Sequence, residues 1–169
     1  YKAAVLNYNT TIDLKTESEF RIDISELEGS WDFWAIFYEN RIIGYSQNRL
    51  IDDYCDYSTI KLHPKYLSFY SSYVLFFTMN KYYLHQLKFR YVNDGARNIL
   101  HNTNIQDFLI TKFGFRRAYC KLHLKYSTTF KLLVTFIYPF RFVFYSFNNR
   151  FATKIKSLFL QEKIRRSFL

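Results

Sequence analysis

The sequence predicts an α+β (mixed α/β) domain, with a mostly antiparallel central sheet, helices on both faces and a C-terminal helical tail. Three observations predict it. Two β-rich runs joined by the polar pair Glu39-Asn40 make a hairpin. A long apolar helix between two short strands makes a crossover, which places that helix against the sheet. Past Ser127 the chain turns basic and aromatic, with helical spacing.

Taken in order, Tyr1 to Phe20 is weakly patterned, and Asn7-Tyr8-Asn9-Thr10 reads as a turn or exposed arm. Ile22, Ile24 and Leu27 predict a short strand or connector ending at Gly29-Ser30. Trp31 to Tyr38 is an aromatic strand, and Arg41 to Ser46 starts its return. A third strand over Tyr54 to Leu62 alternates Tyr57, Thr59 and Lys61 with Ser58, Ile60 and Leu62, as a sheet with two unlike faces requires. His63-Pro64 ends it, because proline cannot continue a ladder.

Lys65 to His85 is apolar on nearly every side, which predicts a helix buried by the sheet and other elements. Lys88 to Val92 is a short strand closed by the turn signal Asn93-Asp94-Gly95. Thr103 or Asn104 caps a helix over Ile105 to Phe113, which Gly114 stops. Phe115 to Tyr126 is predicted as a strand. Residues 1–128 are thus expected to form one domain and 129–169 a basic, aromatic helical extension. Within that extension Lys131, Pro139 and Arg141 interrupt the apolar run too often for a bilayer span.

Hydrophobic residues make up 49% of the 169, and 19 Phe with 16 Tyr predict a ring-rich core. The two cysteines, Cys55 and Cys120, have no CxxC spacing and read as buried thiols. The four histidines show no HxxxH or HxH spacing, so no metal is expected. GxSxG, Walker and GxGxxG patterns do not occur, which argues against a serine hydrolase, a P-loop enzyme and a dinucleotide-binding fold. The sequence opens on Tyr1 and reads as a fragment; it carries no secretory pattern.

The net charge of +10 is unevenly spread. Residues 1–60 hold 5 basic and 11 acidic side chains, 61–128 hold 11 and 2, and 129–169 hold 8 and 1. A basic body favours an anionic partner: a phosphorylated cofactor, tRNA or an anionic membrane surface. Basic and aromatic residues interleave at Lys88-Phe89-Arg90-Tyr91 and Phe115-Arg116-Arg117-Ala118-Tyr119. Such a face suits nucleic acid, and plain strand alternation produces it as well. The basic amphipathic helix over 151–168 suits docking on the domain, a sister subunit in a homodimer, or a membrane surface. Localisation is expected to be cytoplasmic, including the periphery of a membrane.

The order of elements from Trp31 to Tyr126 resembles the core of the GNAT acyltransferases. The likeness is closest over Asn104 to Tyr126, NIQDFLITKFGFRRAYCKLHLKY, a helix ending in a Lys-apolar-Gly-Phe turn that feeds a strand. It is also similar to the GNAT-like domains of Fem-type peptidyltransferases. The first resemblance implies transfer of an acyl group from acetyl-CoA or another acyl-CoA to an amine-bearing acceptor. The second implies aminoacyl transfer from tRNA to a cell-envelope or glycan precursor.

The GNAT likeness also implies site residues. The family's turn after the fourth strand, R/Q-x-x-G-x-G/A, holds the pyrophosphate on backbone N–H groups. Here it reads Pro64-Lys65-Tyr66-Leu67-Ser68-Phe69-Tyr70-Ser71-Ser72, with the proline and without the glycines. Lys65 then neutralises a phosphate, Ser68 and Ser71 keep the helix start small, and N–H groups near Ile60 and Leu62 hold the carbonyl. The family's asparagine near the last helix corresponds to Asn104, one residue out of register. Ile110 stands where many members carry a tyrosine as general acid, which favours a third reading, a non-catalytic GNAT-like binding module.

Two carboxylates are candidate bases for the acceptor amine. Asp56 lies between Tyr54 and Tyr57, where its pKa would rise; the plain alternative is a strand-edge aspartate. Asp94, with Arg97 and His101, makes the densest polar cluster on the basic side, and turn chemistry alone explains it equally.

Overall fold

The structure is a computed structural model that describes residues 1–6, 14–95, 104–119, 121–147 and 149–167. These divide into two compact units, one within residues 1–95 and one within residues 104–167.

The first unit is built on a four-stranded sheet: β1 (Ser30–Tyr38), β2 (Arg41–Ile51), β3 (Tyr54–Leu62) and β4 (Tyr91–Asn93), adjacent in that order. The predicted hairpin is there. Its turn residues Glu39 and Asn40 both have positive φ, 45° and 61°, as a two-residue turn matching the strand twist requires. β2 and β3 are also antiparallel, whereas β3 and β4 are parallel, so the sheet is mostly antiparallel with one crossover. Between Gln47 and Asn48 the β2–β3 register shifts, and Ser58 is the extra residue on β3.

The crossover carries α3 (Ser71–Asn80), whose helical path continues through a wider π turn over Lys81–Gln86. Leu75, Phe76, Met79 and Tyr83 are buried on one stripe. Tyr57 meets the rings of Phe76 and Tyr83, at 5.8 Å and 6.1 Å, and donates a 2.7 Å hydrogen bond to Asn80 Oδ1. Tyr83 Oη donates to Asp32 Oδ2 at 3.0 Å and accepts from Trp34 Nε1 and Asn48 Nδ2. The helix is therefore two-sided, where the sequence suggested burial on nearly every side: Val74 and Phe77 lie more than half exposed on its outer face.

The other face of the sheet is covered from the N-terminal side. α1 (Lys2–Leu6) buries Ala4 and Val5, and α2 (Glu17–Ser25) sets Phe20 edge-on to Tyr45 of β2, 6.1 Å between ring centres. Helices thus flank both faces. α2 replaces the short strand or connector expected at Ile22 to Leu27. A capping box decides it: Thr16 Oγ1 accepts from Glu19 N, and Glu19 Oε2 accepts from Thr16 N at 2.7 Å. Two saturated backbone donors outweigh a period-two pattern only three residues long.

In the second unit α4 (Ile105–Phe113) ends at Gly114, left-handed at φ 69°, with the N–H groups of Gly114 and Phe115 both donating to Leu109 O. The strand expected at Phe115 to Tyr126 is not formed: residues 114–119 and 121–127 have no regular secondary structure. Leu122, Leu124 and Tyr126 still alternate, half-buried, with exposed Lys121, His123 and Lys125. Alternation specifies two faces, but a strand also needs a hydrogen-bonding neighbour, and no strand of this unit supplies one among the described residues.

The tail is helical as predicted: α5 (Thr128–Ile137), a 3₁₀ turn at Tyr138–Phe140, α6 (Arg141–Tyr145) and α7 (Arg150–Arg166). Asn149 caps α7 by accepting from Ala152 N at 2.7 Å. Phe159 of α7 is buried against Tyr138 and Phe144. Glu162, also buried, accepts from Arg165, Arg166 and Tyr126. Among the described residues no helix is long and apolar enough to cross a membrane.

Candidate functional site

The parallel pairing of β3 with β4 covers only three rungs, Tyr54–Tyr91, Cys55–Val92 and Asp56–Asn93. Beyond Asp56, β3 runs on through the Ser58 bulge to Leu62 with β2 as its one strand neighbour among the described residues. The pairing of β3 with β4 ends there, a fork in the sheet among the described residues. His63 N–H donates to Ile43 O of β2 at 2.8 Å. Because successive residues of a strand aim their backbone groups to opposite sides, those of Ile60 and Leu62 point away from β2, toward the fork. In open α/β sheets, crevices beyond the carboxyl ends of parallel strands bind ligands.

Past Leu62 the chain makes a 3₁₀ turn, Pro64–Phe69, and enters α3. His63 Nδ1 accepts from Lys65 N at 3.3 Å, fixing the start of the turn. Tyr38 of β1 stacks on Phe69, 5.4 Å apart and 6° from parallel, with Tyr66 tilted against both, so rings pin the turn where glycines are absent. Tyr70 takes the left-handed conformation that glycine favours, φ 59°, ψ 26°. The turn keeps a glycine-type backbone without the glycine.

Ser71 follows, the first residue of α3. It is 2% exposed, and its Oγ has no hydrogen-bond partner among the described residues. The helix ladder begins with Val74 N–H donating to Tyr70 O, so the N–H groups of Ser71 and Ser72 precede it. A helix start of this kind favours an anion, and a buried hydroxyl without a partner is costly unless something occupies it.

The predicted residues separate. Asp56, Ile60 and Leu62 line the fork on β3, and Asp94 follows directly on β4. Ser71 starts the helix beyond, and Lys65 and Ser68 are exposed on the turn between. Asn104 is exposed at the N-cap position of α4, in the second unit, and makes no side-chain capping bond. His101 and Arg97 lie outside the described residues.

The two carboxylates differ. Asp56 Oδ1 accepts from Asn93 Nδ2 at 2.9 Å. Asp94 is half-buried, and burial pushes its carboxyl up to about 6. A carboxylate titrating there is a better proton acceptor near neutral pH than one of ordinary value. Cys55 is fully buried and burial pushes its thiol up to about 12, which leaves no thiolate for nucleophilic attack. Among the described residues no cluster of side chains suited to a metal ion occurs.

Lys61 was not singled out. It sits on β3 with its side chain on the face away from α3, beside Gln47, Thr59 and Tyr45 in a cleft of about 520 Å³ under α2. Burial lowers its pKa. The strand alternation puts Lys61 on the face opposite Ile60 and Leu62, but only the helix made by the Thr16 capping box reveals that this face is covered.

No protein-family model, curated protein or solved structure matches the chain.

Proposed function

We propose that the first unit carries a GNAT-like acyltransferase site, which moves an acyl group from acyl-CoA to an amine. The observation that carries this reading is the fork between β3 and β4, with the helix start that follows the turn after β3 bearing a buried Ser71 that has no hydrogen-bond partner among the described residues. The donor's phosphates sit at the start of α3, near Ser71 and Lys65. Its carbonyl meets the outward N–H groups near Ile60 and Leu62, which hold the oxygen as negative charge builds on it. Asp94 accepts the proton of the attacking amine, and the amine nitrogen displaces the thiolate directly. The leaving thiolate takes its proton from solvent.

The turn itself favours a second reading. Packed rings at Tyr38, Tyr66 and Phe69 occupy the place of a glycine cradle, which suits a donor other than coenzyme A, such as aminoacyl-tRNA. Thermal unfolding of the full chain with acetyl-CoA, with aminoacyl-tRNA and with neither separates the two. A donor at 100 times its Kd adds about 2.7 kcal/mol to the stability of the folded state. Stabilisation by acetyl-CoA supports the first reading and stabilisation by aminoacyl-tRNA the second. No effect of either donor overturns both and leaves a non-catalytic binding module.

A further inference from the structure

We infer that the outer face of α5–α6 is a docking face for an anionic lipid surface, on which the segment lies flat. This stands apart from the acyl-transfer reading and uses other residues. From Thr128 to Tyr145 the helical path is nearly continuous and apolar on two opposite sides. The inner stripe, Val134, Tyr138 and Phe144, packs in the unit, the two rings meeting Phe159 of α7. The outer stripe follows the same helical spacing at Leu133, Phe136, Phe140 and Val143, flanked by Leu132 and Phe142. All six are exposed, Phe136 at 76% and Phe142 at 66%. Large apolar side chains at helical spacing on a solvent face mark a surface that is covered in use.

Charge identifies what covers it. Residues 129–169 carry eight Lys or Arg and one acidic side chain. That acid, Glu162, is 1% exposed and engaged by Arg165 and Arg166 at 2.7 Å. The segment therefore shows no exposed side-chain carboxylate, while Lys131, Lys154 and Lys163 are exposed. Two copies of so basic a segment repel one another, which disfavours pairing through this face. An anionic lipid surface attracts a segment of this net charge and takes the aromatic stripe into the boundary between headgroups and acyl chains. A helical path that tightens to a 3₁₀ turn at Pro139 and carries Lys131 and Arg141 is suited to lying in the interface, not to crossing it.

The test is sedimentation of the full chain with phosphatidylcholine vesicles, with and without phosphatidylglycerol. The chain is expected to pellet with phosphatidylglycerol vesicles and to bind phosphatidylcholine alone about tenfold more weakly, with high salt weakening the first. The double variant Phe136→Ser/Phe140→Ser is expected to lose about tenfold or more of that binding, with its far-UV circular dichroism unchanged. Lys131→Ala/Lys154→Ala/Lys163→Ala is expected to bind the anionic vesicles about tenfold less and the neutral ones as before. Wild-type chain left in the supernatant with anionic vesicles overturns the proposal, and so does a serine variant that binds as well as wild type. A wild-type dimer that the serine pair makes monomeric, with neither form binding vesicles, gives the face to a second copy and also overturns it.

Discussion

Asn93 Nδ2 donates a 2.9 Å hydrogen bond to Asp56 Oδ1 at the last rung that joins β3 to β4. The contact holds the fork at its closed end and occupies one oxygen of Asp56. The next residue, Asp94, has no hydrogen-bond donor among the described residues, and burial raises its pKa. Two carboxylates one residue apart across the pair thus have different environments.

Asp94→Asn tests this through pH. The folded carboxyl titrates at about 6, above its ordinary value near 3.8, so the folded state favours the neutral form. Below the lower value the aspartate costs nothing, and the penalty grows as pH rises through the window to about 6. The asparagine variant is therefore expected to match wild type at pH 4 and to be more stable at pH 7.5, by up to about 2 kcal/mol after allowance for solvent screening. Urea melts at the two pH values measure it. If the unit transfers acyl groups with Asp94 as the base, the rate should lose its limb near pH 6 in the same variant; a limb that survives removes Asp94 from that role.

Ser71→Ala is expected to act with opposite signs on stability and binding. Removing a buried hydroxyl that lacks a partner should raise the unfolding free energy by roughly 1 kcal/mol. If that hydroxyl donates to the donor's phosphates, affinity for the donor should fall about fivefold. Thermal melts of the free protein and titration with the donor read the two effects separately. A variant that is more stable and binds unchanged makes Ser71 a packing defect with no part in the site.

The sequence made the sheet legible because its signals were local: Glu39-Asn40 for the hairpin, Pro64 for the strand end, Gly114 for the helix stop. The misses came where a local pattern competed with something stronger or lacked a partner. Ile22 and Ile24 alternate, yet the Thr16–Glu19 capping box makes that segment helical. Phe115 to Tyr126 alternates, yet alternation cannot provide the neighbouring strand. At the proposed site, the choice of Ile60, Leu62 and Ser71 came from the family likeness. The fork itself did not, because where a parallel pair parts depends on the length of β4, only three residues here. The left-handed Tyr70 was equally hidden, since residue type argues against that conformation.

Glu162 gives the second unit an acid-sensitive joint. Arg165 and then Arg166, with Tyr126, hold its carboxyl at about 2, below the ordinary 4.5. A depressed carboxyl contributes stability above its unfolded pKa and loses it as pH falls toward the folded value. Glu162→Gln is expected to destabilise at pH 7 by about 2 kcal/mol, given half-exposed arginine partners. The gap from wild type should close between pH 4.5 and 2. Circular dichroism melts across that range follow it, and a gap that persists unchanged at pH 2 refutes the ion-pair account.

Gly44 connects core packing with the fork. A Cβ at this position would stand 2.5 Å from Leu62 Cδ2, 3.2 Å from Lys61 O and 3.5 Å from Ile36 Cδ1. The leucine can swing aside, but the Lys61 carbonyl belongs to the β3 backbone just where its outer side faces the fork. Gly44→Ala is therefore expected to cost about 1–2 kcal/mol and to move Leu62, which on the acyl-transfer reading also weakens donor binding. Adding Leu62→Ala removes the closest clash. The double variant should then be more stable than the sum of the single effects predicts, by more than about 0.5 kcal/mol. Strictly additive losses would mean that the β2 backbone absorbs the methyl group and that the fork does not depend on this close approach.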